Sequence, residues 1–556
     1  MALPPFADLF AFADPDNRLV DRVEHTLMSC GEFDTVWRPA PGWVAARAPL
    51  PGTPPDPSPA QAAGLAFAQG IDAVLPERGG ADATARFAEL AQHHPDRLAE
   101  GPGDFTFLHL RPNGSCTAVR ACNGLVPLHV YADDRRRVIS TRAGYLFRFV
   151  PDLPPRDDLV YAMWSSGIVT FPDDRSFVQG FRMVPRGHAA VVEPDGPARF
   201  VPYWDPRPDK LDPPSLLPEH AAELRRLLFA CLDRDLPNAG ALLSFSGGVD
   251  SSALAAIIGG PLAKQFATLS FVADSNEAWP TAFPSIAEVF IRYKPEPAWV
   301  FPISLDHRLE IIEQAESQPI PIPHPVLGVL ARVAPQSDVQ VLVGGEAADA
   351  VCGSLLTFGD WVQHTSLAKL LSTPATRLPR DRRDRRRWLA YRRGRARPPM
   401  PFTTELAPAF AAATRDEYAE WARRARDRTI NDPRPRRGLA AHFRQDGWPA
   451  MNWEVTSSLG IRRSVPFFTR EVLELACRCH PQELIGPGTK RLLRAALADD
   501  VPSSLLDQTK RTHAVPSPGD QPSRLFSALY RKAEHHHAST NEASVRAGSV
   551  RTGWTS

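Results

Sequence analysis

The chain has 556 residues, a net charge of +1, and hydrophobic and charged shares of 43% and 23%. At about 100–200 residues per domain, this length predicts two or three domains. The composition is that of a soluble protein with a substantial core, and the low net charge argues against nucleic acid or an acidic membrane surface as a partner of the whole molecule.

The seven cysteines are scattered along the chain, and the one close pair, Cys477 and Cys479, matches no zinc or redox motif. We expect most of them to be small buried residues in a reducing compartment. No apolar stretch of about twenty residues occurs, and the N-terminus lacks a basic start before an apolar core. The sequence therefore predicts a cytoplasmic protein without a membrane span.

Residues 1–205 contain short apolar stretches separated by turn signals, which predicts a β-rich first domain. The predicted strands include Phe105–Leu110, Leu128–Tyr131, Arg137–Ser140 and His188–Val192. The proline-dense segment Pro206–Pro214 then marks a domain boundary, and we place a linker at residues 206–216.

After the linker the apolar spacing becomes helical, and an amphipathic helix is predicted over residues 217–235. Buried strands are predicted at Gly240–Phe245, Ala267–Val272 and Val339–Gly344, and a helix is predicted to begin at Ser252. Strands that alternate with helices predict a parallel α/β sheet, so we place a second domain at residues 217–515.

Two polar segments remain. The arginine-rich insertion at residues 377–400 is either a solvated, partly disordered segment or an electrostatic patch for an acidic peptide or protein. The tail at residues 516–556 is expected to be weakly ordered. Its run His535–His537 is either a metal ligand set or part of an unspecific polar tail.

The segment Ser244–Ser252 links a predicted strand to a predicted helix, where backbone N–H groups and the helix dipole attract an anion. Gly247 and Gly248 let the backbone close around phosphates. The loop lacks the Gly-Lys-Ser/Thr ending of a Walker motif and instead contains Asp250. A carboxylate beside a polyphosphate predicts a magnesium ion between them. The added hydroxyl donors are Ser246, Ser251 and Ser252.

This loop resembles the PP-loop of the N-type ATP pyrophosphatases, which split ATP into AMP and pyrophosphate. Three further segments, in the same order along the chain, make the sequence similar to the asparagine synthetase family. They are Gly344–Gly353, Gly460–Phe468 and Gly488–Ala496.

The resemblance implies ATP and Mg²⁺ as cofactors, with Asp250 and Asp349 as the magnesium-binding aspartates. Glu346 matches a position near the acyl acceptor and nucleophile, and Lys490 matches a lysine that stabilises charge in the transition states of adenylation and acyl transfer. The residues implied to bind the nucleotide are Leu243, Ser244, Ser246, Gly247, Gly248, Val249, Asp250, Ser251, Ser252, Ser270, Gly344 and Gly345.

The chain also departs from the family pattern. Ala347 replaces a glycine, Ala350 a glutamate and Thr469 an aspartate. Ala347 is expected to keep its backbone N–H available provided that its φ is negative. Arg462 and Arg463 either contact phosphates or an acidic substrate, or are structural.

In the first half, Arg120–His129, Pro185–His188 and Tyr203–Pro206 resemble turns of the family's glutaminase domain. The resemblance implies an N-terminal β-rich, glutaminase-like domain of the Ntn-type α+β class at residues 1–205. A PP-loop α/β synthetase domain with a parallel sheet and a helical C-terminal part follows it. Class II glutaminases use an N-terminal cysteine, whereas this sequence begins Met1-Ala2-Leu3 and its first cysteine is Cys30. The glutaminase-like domain is therefore expected to be degenerate.

The amine would then be free ammonia or an amine of the substrate itself. The arginine-rich insertion and the following Pro398–Ala407 look like the variable segment of lasso-peptide cyclases, which are relatives without that cysteine. The sequence therefore looks most like these enzymes, in which an Asp or Glu side chain of a precursor peptide is adenylated and attacked by the peptide's N-terminal amine. This resemblance implies a precursor peptide, a leader peptidase and a leader-peptide recognition protein as partners. The alternatives are an ammonia-dependent asparagine synthetase, a small-molecule synthetase of the β-lactam type, and a nucleotide-binding scaffold without catalysis.

Overall fold

The computed structural model describes a little over half of each predicted domain, and the fold is known for the following ranges. They are residues 7–14, 16–49, 65–69, 98, 105–111, 113–150, 153, 180–193, 196–206, 212–273, 279–303, 329–330, 332–334, 337–352, 447–480, 484 and 490–506. The arginine-rich insertion, Pro398–Ala407 and the C-terminal tail lie outside the described residues.

The first half contains two antiparallel sheets, with strand orders β2-β3-β1-β8-β7-β9 and β11-β10-β6-β5-β4. Two described helices, α1 (Val20–Ser29) and α2 (Ala143–Phe149), accompany them. The strands are β1 (Ala7–Ala13), β2 (Thr35–Trp37), β3 (Trp43–Pro49), β4 (Leu65–Gln69), β5 (Thr106–Leu110), β6 (Cys116–Arg120), β7 (His129–Ala132), β8 (Arg137–Ser140), β9 (Phe181–Met183), β10 (His188–Val192) and β11 (Arg199–Pro202).

The two sheets pack face to face because side chains alternate along each strand. On β1, Leu9 and Ala11 belong to the core between the sheets, whereas Phe10 and Phe12 pack with α1 and α2. On β6, Ala118 faces that same inter-sheet core, whereas Val119 faces the second domain. Because side chains alternate along the strands, the first half of the chain forms three layers: helices, the first sheet and the second sheet. The outer face of the second sheet is covered by the other half of the chain.

The second domain is built on a parallel sheet with strand order β14-β13-β12-β15-β16. Its strands are β12 (Ala241–Ser244), β13 (Phe266–Ala273), β14 (Ala298–Ile303), β15 (Val341–Val343) and β16 (Arg462–Ser464). Its helices are α3 (Leu217–Asp235), α4 (Val249–Gly259), α5 (Trp279–Tyr293), α6 (Ala348–Val351), α7 (Gly447–Ser458), α8 (Arg470–Arg478), α9 (Arg491–Ala496) and α10 (Ser503–Leu506), with 3-10 turns at Pro214–Leu216 and Pro466–Phe468.

The strand order reverses beside β12. The chain runs outward from β12 through β13 to β14, and then returns to place β15 on the other side of β12. The loops that leave β12 and β15 therefore diverge at the carboxyl edge of the sheet. In open parallel sheets, this switch point is where ligands bind.

The secondary-structure predictions are largely confirmed, with corrections at the ends of elements. The helix predicted at residues 217–235 has those bounds, as do the strands at 137–140 and 188–192. The helix predicted from Ser252 begins at Val249, because the backbone N–H of Ser252 already donates to the carbonyl of Gly248 (2.9 Å). The strand predicted at 339–344 shortens to Val341–Val343.

The three first-half segments that resemble a glutaminase domain meet in one place. The fully buried Arg120 donates to the carbonyls of Gly124, Val126 and Val184, and the Tyr203 hydroxyl donates to the Arg120 carbonyl (2.6 Å). These bonds give the buried carbonyls of this region side-chain hydrogen-bond donors. The segments therefore have a structural role, since they close one end of the second antiparallel sheet.

The two halves share a continuous apolar core. It combines Phe107 and Val119 of the second antiparallel sheet with Leu224 and Leu228 of α3. Polar contacts border it: the Trp204 Nε1 atom donates to Glu474 (2.8 Å) and the Arg470 backbone N–H donates to the Asn123 side chain (2.8 Å). The Arg186 guanidinium also lies over the Phe468 ring, 3.7 Å from its centroid.

The cysteines are free thiols: Cys30 is half-buried and the other six are buried, as predicted. Within the described ranges, no helix combines the length and apolar character needed to cross a membrane.

Candidate active site

The loop between β12 and α4 is tightly folded. Gly247 has φ +70°, a left-handed conformation that favours glycine, and the Ser246 N–H donates to the Ser251 hydroxyl (3.2 Å). That hydroxyl in turn donates to the carbonyl of Gly248 (3.2 Å). The loop is thus pre-formed, and it delivers Asp250 to the first turn of a helix that is buried along nearly its whole length.

Lys490 contacts Asp250 across 240 residues of sequence. Its Nζ atom donates to the Asp250 Oδ2 atom, and the two side chains are 6% and 22% exposed respectively. Such a buried pair depends on both partners, because removal of one leaves an uncompensated charge at a cost of about 3–5 kcal/mol. The two residues that the sequence predicts on separate segments are therefore brought together.

The loop after β15 lies against the loop after β12. A Cβ atom on Gly345 would lie 3.2 Å from the Asp250 Cβ, so the two loops are in contact. The Gly344 N–H donates to the Ser464 carbonyl (3.0 Å), which ties this loop to β16 as well. Gly344, Gly345 and Glu346 therefore belong to the same site as Asp250 and Lys490.

The Glu346 carboxylate is held by two neighbours. Its Oε1 atom accepts hydrogen bonds from Arg463 and from the Asn452 Nδ2 atom (3.3 Å). Its Oε2 atom is buried and has no hydrogen-bond partner among the described residues. The Arg463 side chain is only 2% exposed whereas that of Glu346 is 30% exposed, so the arginine end of this ion pair is shielded from water. One carboxylate oxygen is thus anchored, whereas the other has unused acceptor capacity.

Two non-glycine residues of the site have left-handed backbones. Ala347 has φ +66° and Lys490 has φ +62°, and each stands immediately before a short helix. The expectation that the φ angle of Ala347 is negative is therefore wrong. The turn from β15 into α6 requires a left-handed backbone, which glycine adopts most easily. Strain of this kind is typical of functional sites.

The other predicted residues lie at different depths. Leu243, Ser252 and Ser270 are fully buried, and the hydroxyls of Ser252 and Ser270 have no hydrogen-bond partner among the described residues. Ser244 is half-buried at the end of β12. Asp349 lies in α6 directly after the β15 loop, but its side chain lies outside the described residues. The role of each as a ligand stays a prediction.

Asp250 and Asp349 stand in the first turns of the helices that follow adjacent strands, β12 and β15. Both residues therefore lie at the same edge of the sheet, and carboxylates beside serine hydroxyls are the hard oxygen donors that suit Mg²⁺. Among the described side chains there is no group of three or more His, Cys, Asp or Glu arranged as a metal site.

Asn452 was missed by sequence reasoning. It lies 106 residues from Glu346, in helix α7, and it belongs to none of the segments that resemble the family. Arg463, for which a phosphate-binding and a structural role were both open, contacts the Glu346 carboxylate. No signal in a single sequence would have paired Asn452 with Glu346.

Three solved structures are similar to parts of this chain, at low similarity. A glutamine phosphoribosylpyrophosphate amidotransferase from B. subtilis is 12% identical over 62% of this chain and 77% of that chain, with a TM-score of 0.24. An NMN synthetase from Francisella tularensis is 19% identical over 26% and 60%, with a TM-score of 0.18. A U34-tRNA thiolase from Methanococcus maripaludis is 13% identical over 40% and 78%, with a TM-score of 0.21. At these scores the likenesses carry no argument about function.

No curated protein sequence matches the chain. Residues 223–556, more than half of the chain, match the family model described as asparagine synthase. This match contains the loop after β12, the loop after β15 and Lys490, which the structure joins in one site. The chain therefore belongs to the asparagine synthase family.

Proposed function

We propose that this protein is a lasso-peptide cyclase, which uses ATP to adenylate an Asp or Glu side chain of a precursor peptide and then forms a macrolactam with the peptide's N-terminal amine. Membership of the asparagine synthase family supports the coarser function, an ATP-dependent ligase. The observation that carries the proposal is the Lys490–Asp250 pair at the switch point, with Glu346 on the adjoining loop.

In the first step, a carboxylate oxygen of the substrate attacks the α-phosphorus of ATP and pyrophosphate leaves. The N–H groups at the start of α4 would hold phosphate oxygens, and the Lys490 ammonium would stabilise the negative charge of the departing pyrophosphate. Asp250 and Asp349 would hold Mg²⁺, which neutralises polyphosphate charge when bound.

In the second step, the amine nitrogen attacks the acyl carbon, and AMP leaves with the oxygen that came from the carboxylate. The attacking amine must lose a proton. The Glu346 Oε2 atom is buried and has unused acceptor capacity, so it would accept this proton while Arg463 and Asn452 hold Oε1.

The state of the first domain's cysteines supports an amine that does not come from glutamine, which is either free ammonia or an amine of the substrate. Burial raises the pKa of the Cys122 thiol to about 12 and raises the pKa of Cys116 still further. Cys30, at the end of α1, donates its thiol to the Leu27 carbonyl (3.2 Å). Neither Cys116 nor Cys122 is therefore an exposed, activated thiolate of the kind that hydrolyses glutamine.

The experiment supplies the protein with ATP, Mg²⁺ and a candidate precursor peptide whose leader has been removed by its peptidase; a leader-recognition protein is added in a second arm. We expect a product lighter by one water, together with AMP. If the acceptor carboxylate is labelled with heavy oxygen, one label should appear in AMP. Asparagine formed from aspartate and ammonia, with no change in the peptide, would instead support the ammonia-dependent synthetase.

Variants test the site. Lys490→Met and Asp250→Asn should each lower the rate of AMP formation by about a hundredfold or more. Lys264→Met is the matched control: this lysine is similarly buried in the same domain, but it donates to the carbonyls of Asp233 and Leu236 at the end of α3. Unchanged AMP formation in Lys490→Met would overturn the assignment.

A further inference from the structure

Helix α7 lies between the two halves of the chain and has polar contacts with the first domain. Trp453 and Ser457 are four residues apart and therefore lie on one face of the helix. The Trp453 Nε1 atom donates to the Asp8 Oδ1 atom (3.4 Å), and the Arg142 Nη2 atom donates to the Ser457 hydroxyl (3.1 Å). This face of α7 is thus attached to the ends of strands β1 and β8.

Asp8 is a well-anchored buried carboxylate. It is 1% exposed and accepts hydrogen bonds from the Arg142 Nε atom (2.9 Å) and the Thr141 hydroxyl (3.1 Å), as well as from Trp453. Buried charge-assisted hydrogen bonds hold their partners in a defined geometry. On the side of the first domain, the contact with α7 is therefore anchored by several hydrogen bonds to one buried carboxylate.

The neighbouring face of α7 contacts the site. Asn452 directly precedes Trp453 and is 2% exposed, and its Nδ2 atom donates to Glu346 (3.3 Å). The Thr456 hydroxyl, one turn later, donates to the Asn452 carbonyl (2.7 Å). Successive residues differ by about 100° around a helix, so a rotation that loosens Trp453 also displaces Asn452.

We propose that Asp8 and Arg142 are positioning residues through which the first domain orients Glu346. They fix the rotation of α7, α7 places Asn452, and Asn452 with Arg463 holds the Glu346 carboxylate so that Oε2 meets the attacking amine. The kinetic consequence rests on the proposed function of Glu346. The mechanical link does not, because it consists of contacts between described side chains.

The kinetic test separates the two chemical steps. Asp8→Asn keeps the shape of the side chain but weakens its bonds to Arg142 and Trp453. It should slow amide formation from the acyl-adenylate about tenfold, since small displacements of a reacting group are costly. It should leave ATP–pyrophosphate exchange, which depends on Asp250 and Lys490, within about twofold of wild type. Equal slowing of both steps would overturn the proposal.

A double-mutant cycle then tests the route. If Asp8 acts through Asn452, the variant Asp8→Asn/Asn452→Ala should form amide no more slowly than Asn452→Ala alone. Additive slowing would contradict the link. Glu32→Gln is the matched control, since it breaks a partly exposed ion pair with Arg148 within the first domain and should change neither step.

Hydrogen exchange gives a readout that does not require activity. In Asp8→Asn, peptides that cover residues 447–458 should exchange faster than in wild type, whereas Glu32→Gln should not change them. Unchanged exchange in Asp8→Asn would overturn the positioning role. If the wild-type protein catalyses no ATP–pyrophosphate exchange with any substrate, the proposed function fails. Hydrogen exchange in α7 still tests the mechanical link in that case.

Discussion

At the scale of single residues, the Glu346 carboxylate occupies the space that a side chain at position 344 would need. A Cβ atom on Gly344 would lie 1.6 Å from the Glu346 Oε2 atom, so the carboxylate can fold back over its own loop only because residue 344 has no side chain. Gly344 itself does not have a left-handed φ. The requirement for glycine is therefore a matter of volume at the carboxylate.

Gly344→Ala should displace the Glu346 carboxylate and lower the rate of amide formation about a hundredfold. The displaced carboxylate would also lose its bonds to Arg463 and Asn452, which should lower the free energy of unfolding by about 1–3 kcal/mol. Urea unfolding and the single-turnover rate measure the two effects. In a Glu346→Ala background, Gly344→Ala should cause no further loss of stability, because the carboxylate that it displaces is absent. A fully active Gly344→Ala would contradict this interpretation.

His129 predicts a pH dependence of stability. It is 2% exposed, its ring nitrogens have no hydrogen-bond partner among the described residues, and burial lowers its pKa to about 3. Below about pH 6.5, the unfolded chain binds a proton at this histidine that the folded chain does not. The free energy of unfolding therefore decreases as the pH is lowered from about 6.5 to about 3.

Between pH 7.5 and 5.5, His129 should therefore reduce the free energy of unfolding by about 1 kcal/mol. Urea unfolding of His129→Leu should lack this part of the decrease. His25→Leu, on the exposed face of α1, should retain it. An identical decrease in wild type and His129→Leu would show that His129 does not contribute.

At the scale of elements, regular periodicity explains what could be predicted. Helix α3 was predicted because its apolar residues recur at helical spacing, and β8 and β10 because short apolar runs stand between turns. Strand β16 was missed, since its three residues, Arg462–Ser464, form no apolar run and pair with β15 only through the tertiary fold.

In the site too, features with a local sequence pattern could be predicted and contacts formed only by the tertiary fold could not. The loop after β12 has a local sequence pattern, and the family resemblance placed Lys490 with it. The contact of Asn452 with Glu346 could not be predicted, because the two residues are far apart in the sequence and no local pattern links them.

The junction between β15 and α6 predicts a stabilising substitution. Ala347 has φ +66°, which costs a residue with a Cβ atom about 1 kcal/mol relative to glycine. Ala347→Gly should therefore raise the free energy of unfolding by about 0.5–1 kcal/mol in urea unfolding. The neighbouring Ala348→Gly, inside the helix, should lower it by a similar amount; a destabilised Ala347→Gly would contradict the argument.

At the scale of the whole molecule, Phe468 joins the two domains. Its ring is 7% exposed and lies beneath the Arg186 guanidinium, 3.7 Å from the centroid. Phe468→Ala should remove about 3 kcal/mol of packing and cation–π stabilisation from the interface. We expect calorimetry to show the two domains unfolding in more widely separated transitions than in wild type.

Phe200→Ala is the matched control for this prediction. Phe200 lies beneath Arg182 in a similar arrangement, with 4.1 Å to the centroid, but both residues belong to the first domain. Its loss should lower only the transition of that domain. If Phe468→Ala and Phe200→Ala gave the same calorimetric profile, Phe468 would have no special role at the interface.

The continuous core across the linker limits how the chain can be divided. Cleavage within residues 206–216 would separate Phe107 and Val119 from Leu224 and Leu228, which pack in one cluster. Each fragment alone would expose an apolar face and tend to aggregate. Produced together, the fragments should reassociate through that face, so the linker is a natural position for a split version of the protein whose activity reports fragment complementation.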